Sequence, residues 1–110
     1  MRLPNADRVE ISPEKVRDYL LSDRHPVGRF KARFFRSLGY SAENWDQLAA
    51  DLHRVSQSQE ARQVESPYGQ KFSIVALIAG PNGRSASVVT IWIVGSGSSI
   101  PKFVTAYPAE

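Results

Sequence analysis

The chain has 110 residues, of which 42% are hydrophobic and 23% charged, and this ordinary balance excludes a collagen, a coiled coil or a disordered tract and predicts one globular domain, 1–110. The net charge of +3 and the pI of about 9.5 predict a weakly basic surface. The absence of cysteine excludes disulfides and thiolate catalysis, and no apolar run approaches the roughly 20 residues of a membrane span.

Charges occupy the N-terminus where a signal peptide needs an apolar core, so the expected compartment is the cytoplasm. Two histidines without supporting acidic spacing predict no metal site. Acidic residues fall at positions 7 to 23 and 43 to 65 and at Glu110, which leaves two acid-free segments. Those segments carry Arg24, Arg29, Lys31, Arg33, Arg36, Lys71, Arg84 and Lys102. If they meet in space they form a cationic surface that attracts phosphate, although small basic proteins also carry such patches by chance.

In chain order, the leader MRLPNADR has no periodicity and is expected to drape over the fold. Ser12-Pro13 places a good N-cap before a proline, so a short helix is expected from about Pro13 to Leu21. A second helix starts near Val27 and stops before Gly39, a natural left-handed C′ residue. Ser41 and Asn44 cap a third, in which Trp45, Leu48, Leu52 and Val55 recur at helical spacing before the polar stretch SQSQEARQ. After Pro67, KFSIVALIAG and RSASVVTIWIV read as two strands joined at Asn82-Gly83. The glycine- and serine-rich turn from Gly95 leads to a last strand, Pro101 to Tyr107, and a short extra strand is allowed near Gln63 to Ser66. The fold class is therefore α+β, with about three N-terminal helices packed on a three- to four-stranded antiparallel sheet.

At about 100° per residue, Val27, Phe30, Phe34, Phe35 and Leu38 share one broad side of the second helix, and Arg29, Arg33 and Arg36 lie opposite. Lys31 is the anomaly, because it falls inside the apolar side. Two accounts stay open: its amine snorkels to water at the margin of the helix–sheet contact, or it reaches a partly dry cleft where an ammonium attracts phosphate. His25 precedes the same helix, where the positive end of the dipole favours a neutral imidazole suited to a general base; it also reads as a loop residue before Pro26. His53 reads as an ordinary helix-surface histidine.

Strand alternation sets Val89, Ile91 and Ile93 apart from Val88, Thr90, Trp92 and Val94. The isoleucine face is expected under the helices, which leaves Thr90 and Trp92 on an exposed or working face. In the last strand Phe103, Thr105 and Tyr107 are expected to share one side, with the two hydroxyls pointing the same way; plain strand packing also accounts for them.

LPNADR, HPVGRFKARFFRSLGY, PYGQKF, the GPNG hairpin with TIWIV, and the terminal VTAYP together resemble a family of small bacterial domains of unassigned function, over nearly the whole chain. More distantly, the order of parts resembles the bacterial toxin ribonuclease superfamily that groups barnase, EndoU, the tRNase colicins and RelE. That resemblance implies a metal-independent endoribonuclease without cofactor, in which a ribose 2′-hydroxyl attacks the neighbouring phosphate. It implies His25, Lys31, Thr105 and Tyr107 as the catalytic positions: His25 as general base or acid, Lys31 helped by Arg33 on the phosphorane, and the two hydroxyls on the phosphate or leaving oxygen. Arg29, Arg33, Lys71 and Arg84 would hold flanking phosphates, with Thr90 and Trp92 on the RNA face and Trp92 stacking a base. The implied partners are RNA, tRNA among it, and a small acidic antitoxin or immunity protein. Two other readings stay open: a non-catalytic module that binds nucleic acid or protein through the same basic face, and an assembly domain in which Lys31 only snorkels.

Overall fold

The computed structural model describes residues 1–22, 28–58 and 60–109, with 28–30 described in backbone only. The first helix, α1, runs Pro13–Lys15 and continues as a wider π turn over Val16–Leu20, closed by the Leu21 N–H donating to the Val16 carbonyl. It starts as the capping rule requires, with the Glu14 N–H donating to Ser12 Oγ at 3.2 Å. Helix α2 spans Gly28–Arg36. Gly39 at φ 99° ends it, its N–H donating to the Arg36 carbonyl and the Tyr40 N–H to that of Phe35, the two bonds of a Schellman motif. Asn44 Oδ1 then accepts the Ser41 N–H at 2.6 Å, and a 3₁₀ turn over Ala42–Asn44 leads into α3, Trp45–Ser56.

Four strands follow: β1 Arg62–Val64, β2 Gly69–Ala79, β3 Ser85–Gly95 and β4 Lys102–Pro108. They form one antiparallel sheet in the order β1-β2-β3-β4. The α+β expectation holds, and the short extra strand is present as β1. The leader is tied down: Leu3 is buried, and Glu10 makes a parallel bridge to Lys102 on the outer edge of β4. Among the described residues no helix is long and apolar enough to cross a membrane.

The core lies between the helices and one face of the sheet. Val16 and Leu20 of α1, Phe35 of α2 with Leu38 in the turn after it, and Leu48 and Leu52 of α3 meet Phe72, Ile74 and Ile78 of β2 and Val88, Trp92 and Val94 of β3. This reverses the expected faces of β3. Val88, Thr90 and Trp92 are fully buried against the helices, whereas on the other side Val89 and Ile93 are half-buried and Ile91 is buried between them. Both faces of β3 are apolar, so alternation alone does not choose between them; the partners do, since Trp92 pairs with Phe72 and Thr90 with Ile74. The polar atoms are satisfied inside: Trp92 Nε1 donates to Thr90 Oγ1, which donates to the Ile74 carbonyl, both at 2.9 Å.

A second departure lies on β4. Ile91 pairs with Thr105 but Trp92 pairs with Phe103, so Val104 is the extra residue of a β-bulge. Phe103 therefore faces the core, with its ring edge-on to Trp92 at 5.3 Å, while Thr105 and Tyr107 fall on the opposite side with Ile91 and Val89. The expected common side of Phe103, Thr105 and Tyr107 is corrected by that one inserted residue.

The β2–β3 turn caps α2. Asn82 donates its backbone N–H to the Leu38 carbonyl and its side-chain amide to that of Ser37, at 3.3 and 2.9 Å. The approach is so close that a Cβ on Gly80 would lie 2.0 Å from the Leu38 carbonyl oxygen. Gly80→Ala is expected to lower stability by ~1–3 kcal/mol through overpacking, measured by denaturant unfolding, whereas Ala at the neighbouring exposed Arg84 changes it little.

Candidate active site

Lys31 projects from α2 and is half-buried. Its Nζ donates to Tyr19 Oη at 2.8 Å and to Thr105 Oγ1 at 2.9 Å. Three elements converge on this one amine: the π turn of α1, helix α2, and β4 just after its bulge. The bulge matters here, because a regular β4 would keep Thr105 on the same side as Phe103, in the core. Among the described residues no carboxylate pairs with Lys31; the ion pairs are Arg17–Asp18, Arg54–Asp51 and Lys102–Glu10. An ammonium has three donors, two of them taken here, so a partly desolvated positive charge keeps one N–H for an incoming oxyanion.

The surroundings add positive charge. Lys31 Nζ lies 5.1 Å from the centre of the Tyr19 ring and Lys15 Nζ 6.0 Å from it. The hydrogen bond from Lys31 holds the Tyr19 phenol below its usual range against the opposing effect of burial, and Thr105 and Lys15 act in the same direction. Beside this cluster, a groove of about 420 Å³ runs between the start of α1 and the start of β4; its walls carry two carboxylates, Glu10 and Glu14, as well as Lys15 and Lys102, with Ile11 and Phe103 between them.

The other expected site residues divide. Tyr107 lies two residues beyond Thr105 on the same side of β4, opposite Val89, and is 39% exposed. Arg33 is exposed on α2. Lys71 is half-buried on β2, paired with Ile93, and β2 lies two strands from β4, roughly 10 Å at the usual strand spacing. Arg84 stands at the far turn, beyond Ser85, and Ser85 is itself about 20 Å along β3 from Ile91, the partner of Thr105; the structure does not bring Arg84 to the cluster. Thr90 and Trp92 are sealed in the core and present nothing to a ligand, so Trp92 stacking a base is corrected. His25 lies outside the described residues, and Arg29 is described in backbone only, in the first turn of α2. His53 is exposed on α3, as expected.

Sequence reasoning missed Tyr19 and Lys15. They stand four apart in the segment Pro13–Leu20 and so on one helical side, beside the buried Val16 and Leu20. That local signal marks a solvated face; the contact with Lys31 is long-range and leaves no trace in spacing.

Among solved structures, the fold matches a chain of a contact-dependent growth inhibition toxin–immunity protein complex from Klebsiella pneumoniae 342, with a TM-score of 0.69 and 18% identity over 90% of this chain and 98% of that one. At that identity the likeness is one of fold. No curated protein matches the chain. The family described as Domain of unknown function (DUF6883) matches residues 2–110, and the chain belongs to it.

Proposed function

We propose that this chain is a toxin-type, metal-independent endoribonuclease domain that cleaves RNA by attack of a ribose 2′-hydroxyl on the adjacent phosphate. The observation that carries the reading is the Lys31 ammonium, part-buried with no carboxylate partner among the described residues and aimed by Thr105 from an edge strand 74 residues away. A phosphorane gathers negative charge on its equatorial oxygens, and a pre-aimed ammonium stabilises that charge more than it stabilises the ground-state phosphodiester. Lys31 takes this role, Thr105 orients it, and Tyr107 reaches the phosphate or its neighbour. Lys71, Arg33 and Arg29 hold flanking phosphates, and Trp92, sealed in the core, takes no part. His25 is assigned as the base, an imidazole being the side chain whose ordinary pKa suits proton transfer near neutral pH.

Fold likeness to a chain of a toxin–immunity complex supports a partner of that kind. The basic balance of this chain favours the toxin side of such a pair, with a small acidic immunity protein neutralising the face around Lys31. RNA as substrate, tRNA among it, makes the bacterial cytoplasm the working compartment.

The test is incubation of the purified protein, in EDTA, with total bacterial RNA and with a tRNA pool, beside His25→Ala. Cleavage by the parent with a loss of about 10²-fold or more in the variant is expected. Salt-sensitive RNA retention without cleavage replaces the enzyme with a binding module, and absence of both effects removes the RNA reading.

A further inference from the structure

Cleavage by 2′-hydroxyl attack moves two protons: one leaves the 2′-oxygen, and one must reach the departing 5′-oxygen, a poor leaving group as an alkoxide. The reading above supplies one base. We propose that Tyr19 is the general acid, delivering its phenolic proton to the 5′-oxygen; this assignment rests on the ribonuclease reading.

Placement is the first ground. Tyr19 Oη is 2.8 Å from Lys31 Nζ, so a phosphate that takes the remaining N–H of Lys31 sits within one hydrogen-bond step of the phenol. Direction is the second. The phenol oxygen accepts from the ammonium, so its own proton lies on the side turned away from Lys31 Nζ. The third is the fate of the group after transfer. A phenolate left at Tyr19 lies against Lys31 on one side and has Lys15 over its ring, so the proton is given up more readily than by an isolated tyrosine. The raised acidity of this phenol agrees, since its titration range moves down toward the pH at which general acids work best.

The step balances without oxidant or co-reactant. The base takes the 2′-hydroxyl proton as the 2′-oxygen–phosphorus bond forms; the phosphorus–5′-oxygen bond breaks, and that oxygen takes the Tyr19 proton. The products are a 2′,3′-cyclic phosphate and a 5′-hydroxyl. The protonated base then returns its proton to the phenolate through water.

The experiment compares the parent with Tyr19→Phe on RNA and on uridine 3′-(4-nitrophenyl phosphate), whose nitrophenolate departs without a proton. Tyr19→Phe is expected to lose about 10²-fold on RNA and to stay within about threefold of the parent on the aryl ester. The decline of the parent's RNA rate at high pH is expected to disappear in the variant, because the acid must be protonated to work. Retained ester cleavage shows that the variant is folded. If it does not fold, replacing Tyr19 with 3-fluorotyrosine keeps the shape, and the alkaline limb is expected to move to lower pH; a limb that stays in place overturns the assignment. Equal losses on both substrates at a parental melting temperature also overturn it, since Tyr19 would then only position Lys31. So does an unchanged RNA rate. A parent that cleaves neither substrate overturns the ribonuclease reading itself, and with it this role.

Discussion

Lys31→Met is expected to lower RNA cleavage by about 10²- to 10³-fold while the protein stays folded, read as initial rates beside a thermal melt. Methionine keeps the unbranched apolar stem against α2 and removes only the charge and its donors. Tyr19 and Thr105 each lose one hydrogen-bond donor, but both are half-buried rather than sealed, so water takes the vacated position at small cost. The loss therefore falls on the transition state. Lys31→Arg retains charge on a longer, planar fork and is expected to recover only part of the rate, because Thr105 and Tyr19 define the place of a single nitrogen. A lysine that merely snorkels gives parental rates in both variants.

Trp92→Ala is expected to cost ~3–5 kcal/mol of stability, measured by denaturant unfolding. The side chain is fully buried, packs edge-on to Phe103, and donates to Thr90, so truncation leaves a large cavity and removes the internal donor from a buried hydroxyl. Against the 5–15 kcal/mol typical of a domain, that loss is enough to leave the variant marginal at 37 °C. A tryptophan that stacked a base would behave in the opposite way, weakening RNA binding at nearly parental stability. The variant thus separates the core role given by the structure from the nucleic-acid role that alternation alone allows.

These two residues also mark what local sequence does and does not carry. Lys31 is legible because a charge inside a 3.6-residue apolar pattern breaks the pattern that surrounds it. The helix boundaries are legible for the same local reason: Ser12 before Pro13, the left-handed Gly39, and the Ser41–Asn44 pair each act within one turn. The Asn82-Gly83 hairpin is legible too, though not its second use as a cap on α2. The faces of β3 are not legible, because both are apolar and the choice is made by Phe72 and Ile74 across the sheet. Nor is the bulge at Val104, which no residue type demands, yet it separates Phe103 in the core from Thr105 at the site. Tyr19 stays hidden because its value comes from Lys31, twelve residues on and in another helix.

The central claim is the chemistry of the cut, and the ends of the cleaved RNA test it most directly. An oligonucleotide cleaved in EDTA is compared with the same sequence carrying one 2′-deoxynucleotide at the cleavage position. The account predicts 2′,3′-cyclic phosphate and 5′-hydroxyl ends from the first and no cut in the second. A 5′-phosphate end, or cleavage at the deoxynucleotide, would contradict it.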